Sequence, residues 1–137
     1  MFADVDHQHP EVRRDIAIWV MWLASQLKLG GLRLDAIKHY SAKFLRELLQ
    51  HIDRTIGEDW FIVGEYWRDD SKVLAKYIEY MNHRISLFDV ALCSNFSRLS
   101  LQDNSDLRTV FDGSLVSMKP RNSVVSTDFY TQKPCPS

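Results

Sequence analysis

Arg33, Asp35 and Glu65 are the residues of this chain whose placement suggests catalysis. Asp35 ends the short alternating run Leu32-Arg33-Leu34-Asp35, and Glu65 ends the nearly all-apolar run Trp60-Phe61-Ile62-Val63-Gly64-Glu65. In a strand, Arg33 and Asp35 project to one face while Leu32 and Leu34 face the other. The interval from 35 to 65 is the length of one strand-helix-strand unit, about 30 residues. Neighbouring strands lie about 4.8 Å apart. Two carboxyl groups on adjacent strand ends therefore sit near the ~5–5.5 Å separation of retaining glycosidases, rather than the wider gap of inverting enzymes, which must fit a water. A simpler reading stands beside each residue. Arg33 and Asp35 would also make a stabilising ion pair, and Glu65 a solvated carboxylate at a strand-to-loop transition.

The elements that would hold these residues alternate. His9-Pro10-Glu11 followed by Val12, Ile16, Trp19, Val20, Leu23 and Leu27 has helical spacing, with Pro10 in the first turn, Glu11 favouring the N-terminal dipole, and Gly30-Gly31 as the stop. Trp19 and Trp22 lie at packing spacing and are expected in the core rather than as a sugar platform. Ser41 caps a helix with Phe44, Leu45, Leu48, Leu49, Ile52 and Ile56 on its apolar face, ended by Gly57. Asp70 or Ser71 caps the next, carrying Val73, Leu74, Tyr77, Ile78 and Met81. A strand over 85–88, a helix near 91–99, a short helix near 107–111 and a strand over 123–126 follow. The order α, β, α, β, α, β, α, β means a parallel α/β sheet, and the commonest closed form of that sheet is the eight-stranded barrel of about 250 residues. This chain is expected to hold about the central half of a (β/α)8 TIM barrel.

With 137 residues, 45% apolar and 26% charged, the chain has the composition of one globular domain. No apolar run approaches the ~18 residues of a membrane span. The formal charge of -1 is spread along the chain with no basic stripe, which argues against nucleic acid and an anionic membrane surface as partners. Cys93 and Cys135 lack metal-type spacing, and their spacing does not decide a disulfide. Met1 to Asp6 lacks the charged start and apolar stretch of a secretory signal, and localisation stays open. Asp4 and Asp6, two apart in a loop, form a pattern that suits a hard oxygen-seeking cation such as calcium, although solvated acids are the plainer reading because calcium takes 6–8 oxygen ligands.

Gly31-Leu32-Arg33-Leu34-Asp35-Ala36-Ile37-Lys38-His39 resembles the segment of the α-amylase family of glycoside hydrolases that carries the catalytic nucleophile. Gly64-Glu65-Tyr66-Trp67 is similar to the segment that carries its acid/base, and Ser86-Leu87-Phe88-Asp89 looks like the following barrel strand. The resemblance implies Asp35 as nucleophile, Glu65 as acid/base and Arg33 as the group that aims Asp35. It further implies Lys38, His39 and Trp67 on the leaving-group side of an α-glucan substrate, and hydrolysis of α-1,4-glucosidic bonds in starch or glycogen. It raises the calcium reading, since members use the aspartate at the Asp4 position and the backbone carbonyl at the His39 position for a structural calcium. Asp6 matches a second-metal position of some members, but Gln8 stands where those carry another aspartate.

The resemblance covers residues 1–126, and the remaining 127–137 are expected to be a divergent, unstructured tail. Members carry a third acid in a Phe-Val-x-Asn-His-Asp-Thr-Gln type of segment. Here the stretch reads Ser123-Val124-Val125-Ser126-Thr127-Asp128-Phe129-Tyr130-Thr131-Gln132, with Tyr130 in the acid's place and Asp128 out of register. Members also carry three barrel strands before the position of Met1, so Met1 is expected to be an internal methionine of a truncated product. Two other readings stay open: a non-catalytic remnant that binds glucan without cleaving it, and a relative with transferase or exo-glucosidase specificity.

Overall fold

The alternation of elements folds into four parallel strands joined by helical crossovers. The computed structural model describes residues 5–126. In chain order these are α1 (Pro10–Gln26), β1 (Gly31–Leu34), α2 (Ala42–Thr55), β2 (Phe61–Gly64), α3 (Ser71–Tyr80), β3 (Ser86–Phe88), α4 (Val90–Ser100), α5 (Leu115–Met118) and β4 (Ser123–Val124). Single 3-10 turns at Ile37–His39, Leu107–Thr109 and Pro120–Asn122 join them. Spatial order equals sequence order, β1-β2-β3-β4, and every pairing is parallel. This is the strand succession of an α/β barrel cut to four strands. No described helix is long and apolar enough to cross a membrane.

Local chemistry explains the helix boundaries. Ser41 accepts the Phe44 N–H at the start of α2, and Asp70 accepts the N–H groups of Lys72 and Val73 at the start of α3. Of the two cap candidates for α3, the carboxylate takes the role and Ser71 becomes the first helical residue. α1 stops earlier than its periodicity suggests. Leu27 is already extended, at φ -125 and ψ 139, so it belongs to the connection, and Gly31 opens β1 instead of ending the helix. α5 has no counterpart among the expected elements. It is one turn long, too short to show a period, and is started by Ser114, whose Oγ accepts the Ser117 N–H.

α2 and α3 cover one face of the sheet. Leu45, Leu48, Leu49 and Ile52 from α2 and Leu74 and Ile78 from α3 close a core over Ile62, Ile85 and Leu87, with Leu32 and Leu34 packed against it. Burying a side chain of this size stabilises by about 1.5–3 kcal/mol. The other face of the sheet carries Arg33 and Phe61, both exposed. Trp19 and Trp22 are also exposed, at 58% and 54%, against the expectation that they lie in the core. α1 buries Val20 and partly buries Ile16 and Ala17 against the core cluster, and periodicity alone does not reveal that its other flank lacks a neighbour. Cys93 is a buried free thiol, while Cys135 and the expected tail lie outside the described residues.

Candidate active site

β1 and β2 each stop one residue short of a carboxylate. The ladder ends where Leu34 pairs with Gly64, and Asp35 and Glu65 follow on the same side. The expectation that each acid is the last residue of its strand is thus corrected by one position. Hydrogen bonding continues past the strands. The Glu65 N–H donates to the Leu34 carbonyl at 2.8 Å, and the Ile37 N–H donates to the Glu65 carbonyl at 3.0 Å. The Glu65 backbone is therefore held on both sides of Asp35.

The residue after Asp35 makes that second bond reachable. Ala36 adopts the left-handed conformation, φ 49 and ψ 36, at a cost of roughly 1–2 kcal/mol for a residue with a Cβ. Its turn sends Ile37 into the core, where it is fully buried, and opens the 3-10 turn that carries Lys38 and His39. Gly64 leaves the space Ile37 needs. A Cβ there would stand 2.5 Å from Ile37 Cδ1 and 2.9 Å from Ile85 Cδ1.

One guanidinium nitrogen serves both acids. Arg33 Nη2 lies 3.0 Å from Glu65 Oε2 and 3.6 Å from Asp35 Oδ1. Taken together, 3.0 Å plus 3.6 Å caps the separation of those two oxygens at 6.6 Å. This bound on one oxygen pair admits the ~5–5.5 Å spacing of retaining glycosidases. Phe88 supports the guanidinium from the side, its ring centroid 5.5 Å from Arg33 Cζ. Exposure differs across the trio, at 58% for Arg33, 76% for Asp35 and 22% for Glu65, so water screens the Arg33–Asp35 attraction more than the charge-assisted bond to Glu65. Burial pushes the Tyr40 phenol above its ordinary pKa, and the nearby Asp35 charge pushes it further.

Lys38, His39 and Trp67 come together in an open cleft of about 680 Å³, also lined by Tyr66, Arg68, Asp69, Val90 and Ser94. Lys38 Nζ donates to the Trp67 carbonyl at 3.4 Å, tying the turn after β1 to the segment after β2. Sequence reasoning did not single out Arg68, Asp69, Phe88 or Ser94. Alternation along β3 was the available signal for Phe88, because it stands two residues from Ser86, which is adjacent to Val63 in register and thereby to Arg33.

The expected cation site is described only in part. Asp4 and the stretch of the third acid from Thr127 to Gln132, including Asp128 and Tyr130, lie outside the described residues. Asp6 and His39 border a second cleft of about 370 Å³ with Val5, His7, Gln8, Tyr40 and Ser41. Asp6 Oδ1 already accepts the Gln8 N–H at 2.9 Å, and among the described residues no three His, Cys, Asp or Glu side chains gather. The carboxylate and nearby carbonyls are hard oxygen donors of the kind calcium takes, yet they supply a fraction of its 6–8 ligands.

Comparison with known proteins gives the arrangement relatives. The chain is 37% identical over 135 residues to an alpha-amylase of Bacillus licheniformis, covering 98% of this chain and 26% of that protein. It is 34% identical over 135 residues to a glucan 1,4-alpha-maltohexaosidase of Bacillus sp. (strain 707), again 98% of this chain and 26% of the other. The crystal structure of an alpha-amylase from Geobacillus thermoleovorans, complexed with acarbose, superposes with a TM-score of 0.74 at 22% identity, covering 88% of this chain and 26% of that one. No protein-family model matches. The chain spans about a quarter of the length of the curated relatives it matches.

Proposed function

This chain belongs, as a segment, to the α-amylase family of glycoside hydrolases, and from that premise we propose that it carries the nucleophile and acid/base of a retaining site for α-1,4-glucan. Asp35 is the nucleophile and Glu65 the acid/base. Glu65 gives its proton to the glycosidic oxygen as Asp35 attacks the anomeric carbon, so the C–O bond to the leaving chain breaks while a glycosyl ester forms on Asp35. Glu65, now ionised, takes a proton from water, and the hydroxide attacks the same carbon to free Asp35. Arg33 orients both carboxylates through charge-assisted contacts. Lys38, His39 and Trp67 suit the leaving-group sugars, with an amine, a polar ring and a flat aromatic face. Starch or glycogen is the substrate class.

Calcium belongs to the proposal as a structural ion, drawing on Asp4 and the His39 carbonyl, with Asp6 at the position of a second metal. When bound it would pin the segment before α1 to the turn that bears Lys38 and His39.

The observation that carries the reading is the single Arg33 nitrogen within 3.6 Å of both acids. A mechanism-based fluoro-glucosyl inhibitor tests it. Peptide mapping should find the label on Asp35 and none in Asp35→Asn, with trapping slowed in Glu65→Gln. Label on another carboxylate, or none on a folded chain, overturns the assignment, and the second outcome is that of a non-catalytic remnant.

A further inference from the structure

The cleft that adjoins Asp35 and Glu65 is more positive than a neutral glucan requires. It is built after three successive strands, with Lys38 following β1, Arg68 following β2, and Ser94 on α4 following β3. Its lining holds two permanent cations, Lys38 and Arg68, against one carboxylate, Asp69. Among the described residues neither cation pairs with an acid, whereas Arg13, Arg33, Arg84, Arg108 and Lys119 all do. Cations of one sign in a cleft concentrate anions there.

The donors are also free to be used. Lys38 Nζ reaches the Trp67 carbonyl at 3.4 Å, which brings the ammonium to the peptide that joins Trp67 to Arg68. That contact takes one of the three ammonium donors, and the five of the Arg68 guanidinium have no acceptor among the described residues. A sugar hydroxyl donates as well as accepts, while lysine and arginine only donate. A phosphate ester is the better match. It carries about 1.5–2 negative charges at neutral pH, offers three strong acceptor oxygens, and fits the planar fork of a guanidinium. The Trp67 ring, next in the chain to Arg68, would lie against the sugar that bears it.

We propose that this cleft selects an α-glucan carrying a phosphate ester on the leaving-group side, with Arg68 as the specificity-determining residue and Lys38 as its partner. The inference rests on the assignment of Asp35 and Glu65 for which side of the glucan lies here.

Ligand-observed nuclear magnetic resonance on the full 137-residue chain compares maltotriose, maltotriose with a 6-phosphate on its reducing-end glucose, and inorganic phosphate, and the same spectra show any turnover. The phosphorylated sugar should bind about 3–10-fold more tightly than the neutral one at low ionic strength, with the preference fading by about 0.3 M salt. Arg68 is exposed, so Arg68→Gln should abolish the preference while keeping the far-ultraviolet dichroism of the parent. Arg68→Lys should retain part of it, and Asp69→Asn should widen it. Equal binding of the two trisaccharides, no binding of either, or a preference that survives Arg68→Gln overturns the proposal. Inorganic phosphate that binds as tightly as the phosphorylated sugar overturns it as well, since the site would then take a free anion. None of these outcomes changes where an inhibitor labels the chain, so this inference and the assignment of Asp35 fail separately.

Discussion

Gly64→Ala tests how the backbone at Glu65 is held. Gly64 has no positive φ, so alanine is conformationally acceptable there and the objection is space alone. Carbon atoms in contact rest about 3.5–4.0 Å apart. The added methyl would stand 2.5 Å from Ile37 Cδ1, 2.9 Å from Ile85 Cδ1 and 3.3 Å from Leu87 Cδ2, and those three side chains are fully buried. Ile37 must therefore retreat by roughly 1 Å, and its N–H is the one that holds the Glu65 carbonyl. Overpacking of this kind costs about 1–3 kcal/mol, and the lower entropy of an unfolded chain with alanine offsets about 0.4–1 kcal/mol. The net loss of roughly 1–2 kcal/mol corresponds to about 3–10 °C in Tm for a chain of this size. Thermal and urea unfolding followed by circular dichroism measure it. Ile37→Val, which removes the offending methyl, costs about 0.5–1.5 kcal/mol alone. In the Gly64→Ala background it should cost far less, for a coupling of roughly 0.5–1.5 kcal/mol. A Gly64→Ala chain as stable as the parent, or strictly additive variants, would refute the clamp.

Three further outcomes are expected. Asp89 is fully buried and accepts the N–H groups of Leu92 and Val116, so Asp89→Ala leaves two buried donors unpaired and should lose about 2–4 kcal/mol in urea unfolding, more than Asp89→Asn, which keeps one acceptor oxygen. Tyr40 has a pKa raised first by burial and then by Asp35, so its folded form holds the phenol proton beyond the unfolded value of 10.0. The stability it contributes is complete below pH 10 and declines as pH rises through the folded pKa, and Asp35→Asn should lower the Tyr40 titration seen by tyrosinate absorbance without returning it to 10.0. Removing calcium with a chelator should lower Tm in the parent and do little in Asp4→Ala with Asp6→Ala, as differential scanning fluorimetry would show.

Caps and strands were legible because their signals are local. Ser41 and Asp70 each sit one residue ahead of an apolar period and each supplies the side-chain acceptor its helix requires. Gly31 to Leu34 and Phe61 to Gly64 were found within one or two residues, since a short apolar run next to a helical period leaves little else to fit. The pairing of Arg33 with Asp35 followed from alternation, whereas its shorter contact with Glu65 depends on the parallel register of β1 on β2 and was not read from the sequence. What stayed hidden was non-local or made of backbone. The Ile37 N–H bond to Glu65 depends on Ala36 turning left-handed, and nothing in an alanine announces that. Trp19 and Trp22 have the spacing of core residues, but spacing specifies a face of α1 and is silent on what stands opposite.

The hidden bond also explains why Asp35 lies beyond its strand. Had β1 continued regularly through Asp35, the following residues would have carried on along the strand direction, away from Glu65. The left-handed Ala36 breaks that path at once and returns the chain to the Glu65 carbonyl through Ile37, leaving the Asp35 side chain 76% exposed on a short, fixed loop. The strain sits on the residue between the acid and its anchor, and Ile37 offsets it by total burial against Gly64, Ile85 and Leu87. The position of Asp35 relative to Glu65 is thus set by core packing on the far face of the sheet as well as by Arg33 on the near one, and the two supports are independent. Loss of Arg33 would leave the two backbones in place and release the carboxylate side chains, whereas a change at Gly64 would move the backbone that carries Glu65 while the guanidinium stayed bound.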